Sequence, residues 1–131
     1  MKYWLIRKTL ESIFPATDEL PGIAETDLEA FLTQFHKEAP PVMRVALFGA
    51  AAAYNVSTPL TVGLPIPAAL LPERLGDLHA QRAACHRVYV LRQIVLLLKT
   101  IGGMCWGANP EIRTQLGLEP YAPDPGTWRE S

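Results

Sequence analysis

Residues 42–54 read VMRVALFGAAAAY, and this stretch decides the fold. After Arg44 it contains no charged residue, and five small residues follow one another from Gly49 to Ala53. A helix that is apolar on every side is normally buried, and small side chains let neighbouring helices approach closely. The stretch therefore predicts a buried, central helix in an all-α protein.

Two amphipathic helices are predicted before this central segment. In residues 3–14 apolar side chains recur at helical spacing, and Pro15 disfavours a continuation of the helix. The second helix is predicted to begin at Thr26, because Glu29 three residues later completes a capping-box pattern. It is predicted to end before Pro40-Pro41.

The helical pattern returns after the centre of the chain. Residues 78–106 predict one long helix. An interior glycine costs about 1 kcal/mol relative to alanine, so we expect Gly102-Gly103 either to permit a close contact or to end the helix. Asn109-Pro110 predicts the start of a further helix that Gly117 ends. We therefore expect a bundle of about five helices over residues 1–117.

Two proline-rich segments complete the chain. In residues 57–71 three prolines exclude a regular helix, and apolar residues alternate as in an extended strand, which predicts an extended arm. We favour an arm that covers this protein's own bundle, and a partner surface is the alternative. Residues 118–131 predict an extended tail, in which Tyr121 and Trp128 are of types enriched at interface hot spots. Packing of these two aromatics on the chain's own bundle is equally open.

Composition excludes several functional classes. Twelve basic and thirteen acidic residues give no general attraction for phosphates, which argues against nucleic-acid binding. Only four apolar residues, Tyr3 to Ile6, lie between Lys2 and Arg7, too few for a secretory signal, and charges within residues 88–106 argue against a membrane span. We therefore expect a cytoplasmic protein. Cys85 and Cys105 would lie about 30 Å apart on one continuous helix, which predicts two reduced, buried thiols.

No constellation for catalysis, cofactor binding or metal binding emerges from the spacing. His79, Arg82 and His86 would share one face of the predicted long helix, but two helical turns, about 10.5 Å, separate the histidines. They are therefore too far apart to bind one metal ion, and we interpret the face as part of an interface. The candidate partner-binding residues lie on the arm, on this face and in the tail: Leu60, Val62, Leu64, Ile66, His79, Arg82, His86, Tyr121 and Trp128.

Short elements near both ends of the chain carry a family resemblance. Residues 13–18 read IFPATD and residues 21–24 read PGIA, and a helix with Phe31-Leu32 follows them. An apolar helix over residues 94–106 then precedes residues 109–113, which read NPEIR, and residues 116–118, which read LGL. In this order the elements resemble the gluconate 2-dehydrogenase subunit 3 family, the small helical subunits of FAD-dependent GMC-type oxidoreductases. The resemblance implies a non-catalytic accessory subunit that binds and stabilises a larger flavoprotein. That partner would hold FAD and oxidise alcohol or sugar hydroxyls.

Two other hypotheses are compatible with the residues. A free-standing helical bundle would bind a hydrophobic small molecule between its apolar helices. An enzyme would use His79, Cys85 or His86, although no nucleophile or nucleotide-binding motif accompanies them.

Overall fold

The computed structural model describes residues 3–119, so the predicted tail residues Tyr121 and Trp128 lie outside it. Within these residues the chain forms α-helices and two 3-10 turns and no strand, which confirms the all-α prediction. The α-helices are α1 Trp4–Ile13, α2 Leu28–Glu38, α3 Pro41–Val56, α4 Thr58–Thr61, α5 Glu73–Ala84, α6 Tyr89–Ala108 and α7 Pro110–Gln115. The 3-10 turns are Ile23–Glu25 and Ala68–Leu70.

The core lies between α3 and α6, the most extensively packed pair of helices, and α1 packs against both. On α3 the buried stripe is formed by Leu47, Ala51 and Tyr54, all fully buried. These spacings of three and four residues place the side chains on one face of a helix. The burial of α3 is therefore one-sided, since its opposite face is exposed to solvent. The prediction of a buried, central helix is therefore confirmed for one face of α3 and is wrong for the opposite face.

The predicted long helix over residues 78–106 is also wrong in one respect, because the chain breaks between α5 and α6. At the break the His86 ring accepts the backbone N–H of Val88 at 3.1 Å, and Arg92 donates to the His86 carbonyl at 2.9 Å. The break lets α5 and α6 pack against each other, which one straight helix would prevent. Periodicity alone does not reveal it, since both halves are helical.

The predicted helix boundaries have mixed outcomes. The capping box at Thr26 is wrong, because α2 begins after Asp27 and the Thr26 hydroxyl donates to the Ile23 carbonyl instead. The start of α7 is confirmed, since the Asn109 side chain accepts the N–H groups of Glu111 and Ile112 at 3.0 and 3.2 Å. Gly117 follows α7 with a φ of 73°, the left-handed conformation that favours glycine at a helix end.

The arm over residues 57–71 is less extended than predicted. It begins with the short helix α4 and includes the second 3-10 turn, so a strand-like course is wrong for much of its length. The preferred interpretation, in which the arm covers this chain's own bundle, is confirmed for Thr58, Thr61 and Ala68, which are buried. Exposed apolar side chains remain on its outer side.

Candidate protein interface and its support

His79 lies at the centre of a buried polar network and is fully enclosed. Its Nε2 lies 2.9 Å from the Tyr54 carbonyl oxygen, and its Nδ1 is hydrogen-bonded to the Thr61 hydroxyl. Because a carbonyl only accepts, Nε2 carries the proton and Nδ1 accepts from Thr61. Burial lowers the pKa of His79 below its usual value. This histidine is therefore a neutral structural residue that fastens the arm to α3 and α5.

Further polar side chains extend the network to α1 and to the surface. The Tyr54 hydroxyl lies 3.3 Å from the Ser12 hydroxyl, and burial raises the pKa of Tyr54. Arg82 donates to the Thr61 carbonyl at 2.6 Å. The network therefore stabilises the packing of α1, α3, α5 and the arm.

Asn55 forms a second attachment between the same elements. Its side-chain nitrogen donates to the Thr9 hydroxyl and to the Ala51 carbonyl, each at 2.8 Å. Its oxygen accepts the backbone N–H of Ala69 at 2.8 Å. Because every polar group of this buried amide is hydrogen-bonded, the cost of its desolvation is compensated, and the bonds fix one geometry. The inner side of the arm is thus held in place by this chain alone.

The structure does not bring the predicted partner-binding residues onto one surface. His79 lies in the interior, Arg82 binds the arm, and His86 lies in the α5–α6 connection rather than on a helix. The predicted shared helical face is therefore wrong. Among the four arm residues predicted to bind a partner, the outward side chains are Leu60, 63% exposed, and Ile66, 39% exposed. Val62 and Leu64 are half-buried.

The two cysteines differ in burial, and one of them departs from the prediction. Cys105 is buried and its thiol lies 3.5 Å from the Thr26 hydroxyl, and burial raises its pKa. Cys85 is exposed, so the expectation of two buried thiols is wrong for this residue. Both thiols are free.

Sequence elements that are far apart meet at one end of the bundle. The rings of Phe14 and Trp106 stack with centroids 6.2 Å apart, and the Trp106 indole N–H donates to the Pro21 carbonyl at 3.0 Å. At Gly22 an added Cβ would lie 2.6 Å from the Ala16 backbone nitrogen, so only glycine fits there. Residues 13–18 and 21–24 thus contact the end of α6 at Trp106, which sequence spacing did not reveal.

The clefts of the described residues lie open at the surface. One of about 440 Å³ is lined in part by Lys8, Glu11, Glu73 and Asp77, whereas one of about 310 Å³ is lined mostly by apolar atoms and lies beside Phe35. Between residues 3 and 119, no three histidine, cysteine or acidic side chains are grouped to hold a metal ion. The described residues also expose apolar side chains along α3.

The outer side of α3 is the candidate interface, and we call it the α3 apolar face. Its larger side chains are strongly exposed: Val42 at 71%, Val45 at 72%, Phe48 at 56% and Val56 at 72%. Gly49 and Ala52 lie between them at helical spacing, and the face carries no charge. Its members are Val42, Val45, Phe48, Gly49, Ala52 and Val56.

Sequence reasoning missed this face because apolar residues occur on all sides of α3. Such a pattern is typical of burial, and it does not say whether this chain or another molecule covers each side. At Gly49, as at Gly103 and Gly107, an added Cβ would have no neighbour within 4 Å, so this position faces open space.

Among the described residues, one helix is long and apolar enough to cross a membrane by length and composition, Tyr89–Ala108. A third of its most apolar window is buried inside the bundle. Core helices of soluble proteins meet the same criterion, so this helix is weak support for a membrane span.

Compared with protein-family models, with curated proteins and with solved structures, the chain matches none.

Proposed function

We propose that this chain is a non-catalytic accessory subunit that binds and stabilises a larger protein. The observation that carries the proposal is the α3 apolar face, which an isolated protein would expose to water. The largest apolar patch on a typical monomer measures about 300–600 Å² and is often functional. Four strongly exposed apolar side chains along one helix are of the kind that a partner protein covers.

The family resemblance identifies the class of partner in this proposal. The partner is an FAD-dependent GMC-type oxidoreductase that acts on alcohol or sugar hydroxyls, and it holds the FAD.

The two other hypotheses have less support. A binder of hydrophobic molecules needs an apolar cavity that buries most of its ligand, whereas the mostly apolar cleft beside Phe31, Phe35 and Met104 is an open surface groove. An enzyme that uses His79 would need this ring to reach substrate, but both of its nitrogens are hydrogen-bonded within the buried network.

Affinity purification of the tagged chain from its native host tests the proposal. We expect a larger protein in stoichiometric amount and absorption bands near 450 nm, roughly where oxidised flavin cofactors absorb. Free chain and eluate are compared by mass spectrometry to identify the flavoprotein. A colourless eluate that contains the small chain alone would contradict the proposal.

A further inference from the structure

The junction of α5 and α6 carries a run of exposed side chains that the proposed function does not use. Arg87, Val88, Tyr89 and Val90 follow one another and are all exposed, and we call these four residues the α5–α6 tip. Successive residues of a helix point about 100° apart, so the three apolar side chains radiate in different directions from the start of α6. Burial of α6 begins at Leu91. The tip is therefore a projecting end of the bundle and not one side of a helix.

The charges that the sequence places around the tip are positive. Arg82 lies in the last turn of α5 and Arg92 in the first turn of α6, and Arg87 lies between them. Residues 78–110 contain no aspartate or glutamate. Within the part of the chain that the structure describes, none of the three arginines forms an ion pair. Their charge is therefore not neutralised by a neighbouring carboxylate of the bundle.

The acidic residues that border this stretch lie away from the tip. Asp77 is about 10 Å along α5 from the last residue of that helix, and it lines a cleft together with Glu11 and Glu73. Glu111 lies on α7, beyond the opposite end of α6. The neighbouring helices α3 and α4 contain no acidic residue. The tip is thus an apolar surface within a positively charged region.

Hydrogen bonds hold the tip in one conformation. The His86 ring accepts the N–H of Val88 at 3.1 Å, and Arg92 donates to the His86 carbonyl at 2.9 Å. The guanidinium carbon of Arg92 also lies 5.6 Å from the centre of the Tyr89 ring, a cation–π contact that orients this ring. A preformed surface loses little conformational freedom when it binds.

We infer that the α5–α6 tip binds the surface of an anionic lipid membrane, with its apolar side chains in the interfacial region and its arginines at the lipid phosphates. Tyrosine is enriched at membrane interfaces, and arginine is attracted to a leaflet of anionic lipids. A lipid surface adapts to a projecting helix end, whereas an acidic protein would need a hollow of matching shape. The contact is peripheral, because Leu91, Val95 and Leu98 hold α6 in the core.

Sedimentation with lipid vesicles tests the inference on the purified full chain. One set of vesicles contains phosphatidylcholine alone, and the other contains phosphatidylcholine with phosphatidylglycerol. We expect the partition coefficient to be about tenfold higher or more for the anionic vesicles and to fall as the salt concentration rises. Equal binding to both vesicles would overturn the inference. Absence of binding to the anionic vesicles would also overturn it and leave an acidic protein as the occupant of the tip.

Variants assign the binding to the tip. Arg87→Glu and Val90→Glu should each lower the partition coefficient about tenfold or more, because one reverses a charge and the other removes an inserted apolar side chain. Arg74→Glu and Leu70→Glu are the matched controls, since both residues are exposed and lie outside the tip, and they should retain the binding. Circular dichroism of each variant shows that the fold is intact. Equal losses in the tip variants and in the controls would overturn the inference.

A fluorophore on Cys85 measures insertion without any change to the tip. This thiol is exposed two residues before Arg87, whereas Cys105 is buried, so a polarity-sensitive maleimide dye reacts at Cys85. Anionic vesicles should shift the emission of the dye to shorter wavelength. The same dye on Leu70→Cys, in a chain with Cys85→Ser, should keep its emission. A dye on Cys85 that stays in water while the chain is bound to vesicles would overturn the inference.

Discussion

At the scale of single residues, Gly102 and Gly103 are neighbours with different surroundings. A Cβ at Gly102 would lie 2.6 Å from Cε2 of Phe14 and 3.0 Å from Cδ2 of Leu10, whereas at Gly103 nothing lies within 4 Å. The helix continues through both residues to Ala108. Of the two sequence interpretations, a close contact is therefore confirmed for Gly102, and a helix end is wrong.

This contrast predicts opposite effects of the same substitution. Gly103→Ala should stabilise the protein by about 0.5–1 kcal/mol, the usual gain of alanine over glycine in a helix. Gly102→Ala should destabilise it, because overpacking typically costs about 1–3 kcal/mol and Phe14 is held by its contact with Trp106. Urea unfolding of both variants measures the difference, and an equal gain in both would show that Phe14 moves away freely.

The buried His79 predicts a pH dependence of stability. Burial lowers its pKa in the folded state, so between this pKa and the unfolded value near 6.5 the unfolded chain binds the proton and the folded chain does not. The free energy of unfolding should therefore be highest above pH 6.5 and fall as the pH decreases through this window. Thermal unfolding between pH 8 and pH 5 checks the prediction.

Variants identify the residue responsible for the pH dependence. His79→Gln should lower stability at neutral pH, since each buried group left without a partner costs about 1–3 kcal/mol, and it should flatten the slope below pH 6.5. His36→Gln, which leaves the buried network intact, is the control and should retain the slope. An unchanged slope in His79→Gln would assign the effect to another group.

At the scale of elements, α3 shows both what the sequence predicts and where prediction ends. Its helical character and its place in the core follow from composition and spacing, and the structure confirms them through Leu47, Ala51 and Tyr54. The exposure of Val45 does not follow from the sequence, because the apolar pattern is the same whether this chain or a partner covers the residue. The break between α5 and α6 was missed for a related reason, since it depends on tertiary packing and not on local periodicity.

The two sides of α3 predict different responses to truncation. Leu47→Ala should cost about 2–5 kcal/mol, the usual range for a buried leucine, because Leu47 is fully buried. Val45→Ala should change stability by no more than about 0.5 kcal/mol, as exposed positions do, but under the proposed function it should weaken the capture of the proposed flavoprotein partner. Chemical unfolding and affinity purification measure the two effects, and a large stability loss in Val45→Ala would mean that this chain itself covers the face.

At the scale of the whole molecule, the fold brings distant segments of sequence together. Phe14 and Trp106 are 92 residues apart in sequence and stack on each other, and the Trp106 indole binds the loop that contains Pro21 and Gly22. The sequence predicted the helices at both ends but not their contact, because no local pattern encodes which helix ends meet. The family resemblance indicated only that the elements occur in one order.

The contact between these segments predicts an energetic coupling that a double-mutant cycle can measure. Phe14→Leu and Trp106→Leu should each destabilise the protein, and the double variant should lose less than the sum, since an aromatic pair contributes about 0.5–1.5 kcal/mol beyond its buried area. Phe48→Leu combined with Trp106→Leu is the control pair and should be additive, because Phe48 lies on the exposed side of α3. Additive losses for Phe14 and Trp106 would mean that the two rings do not stabilise each other.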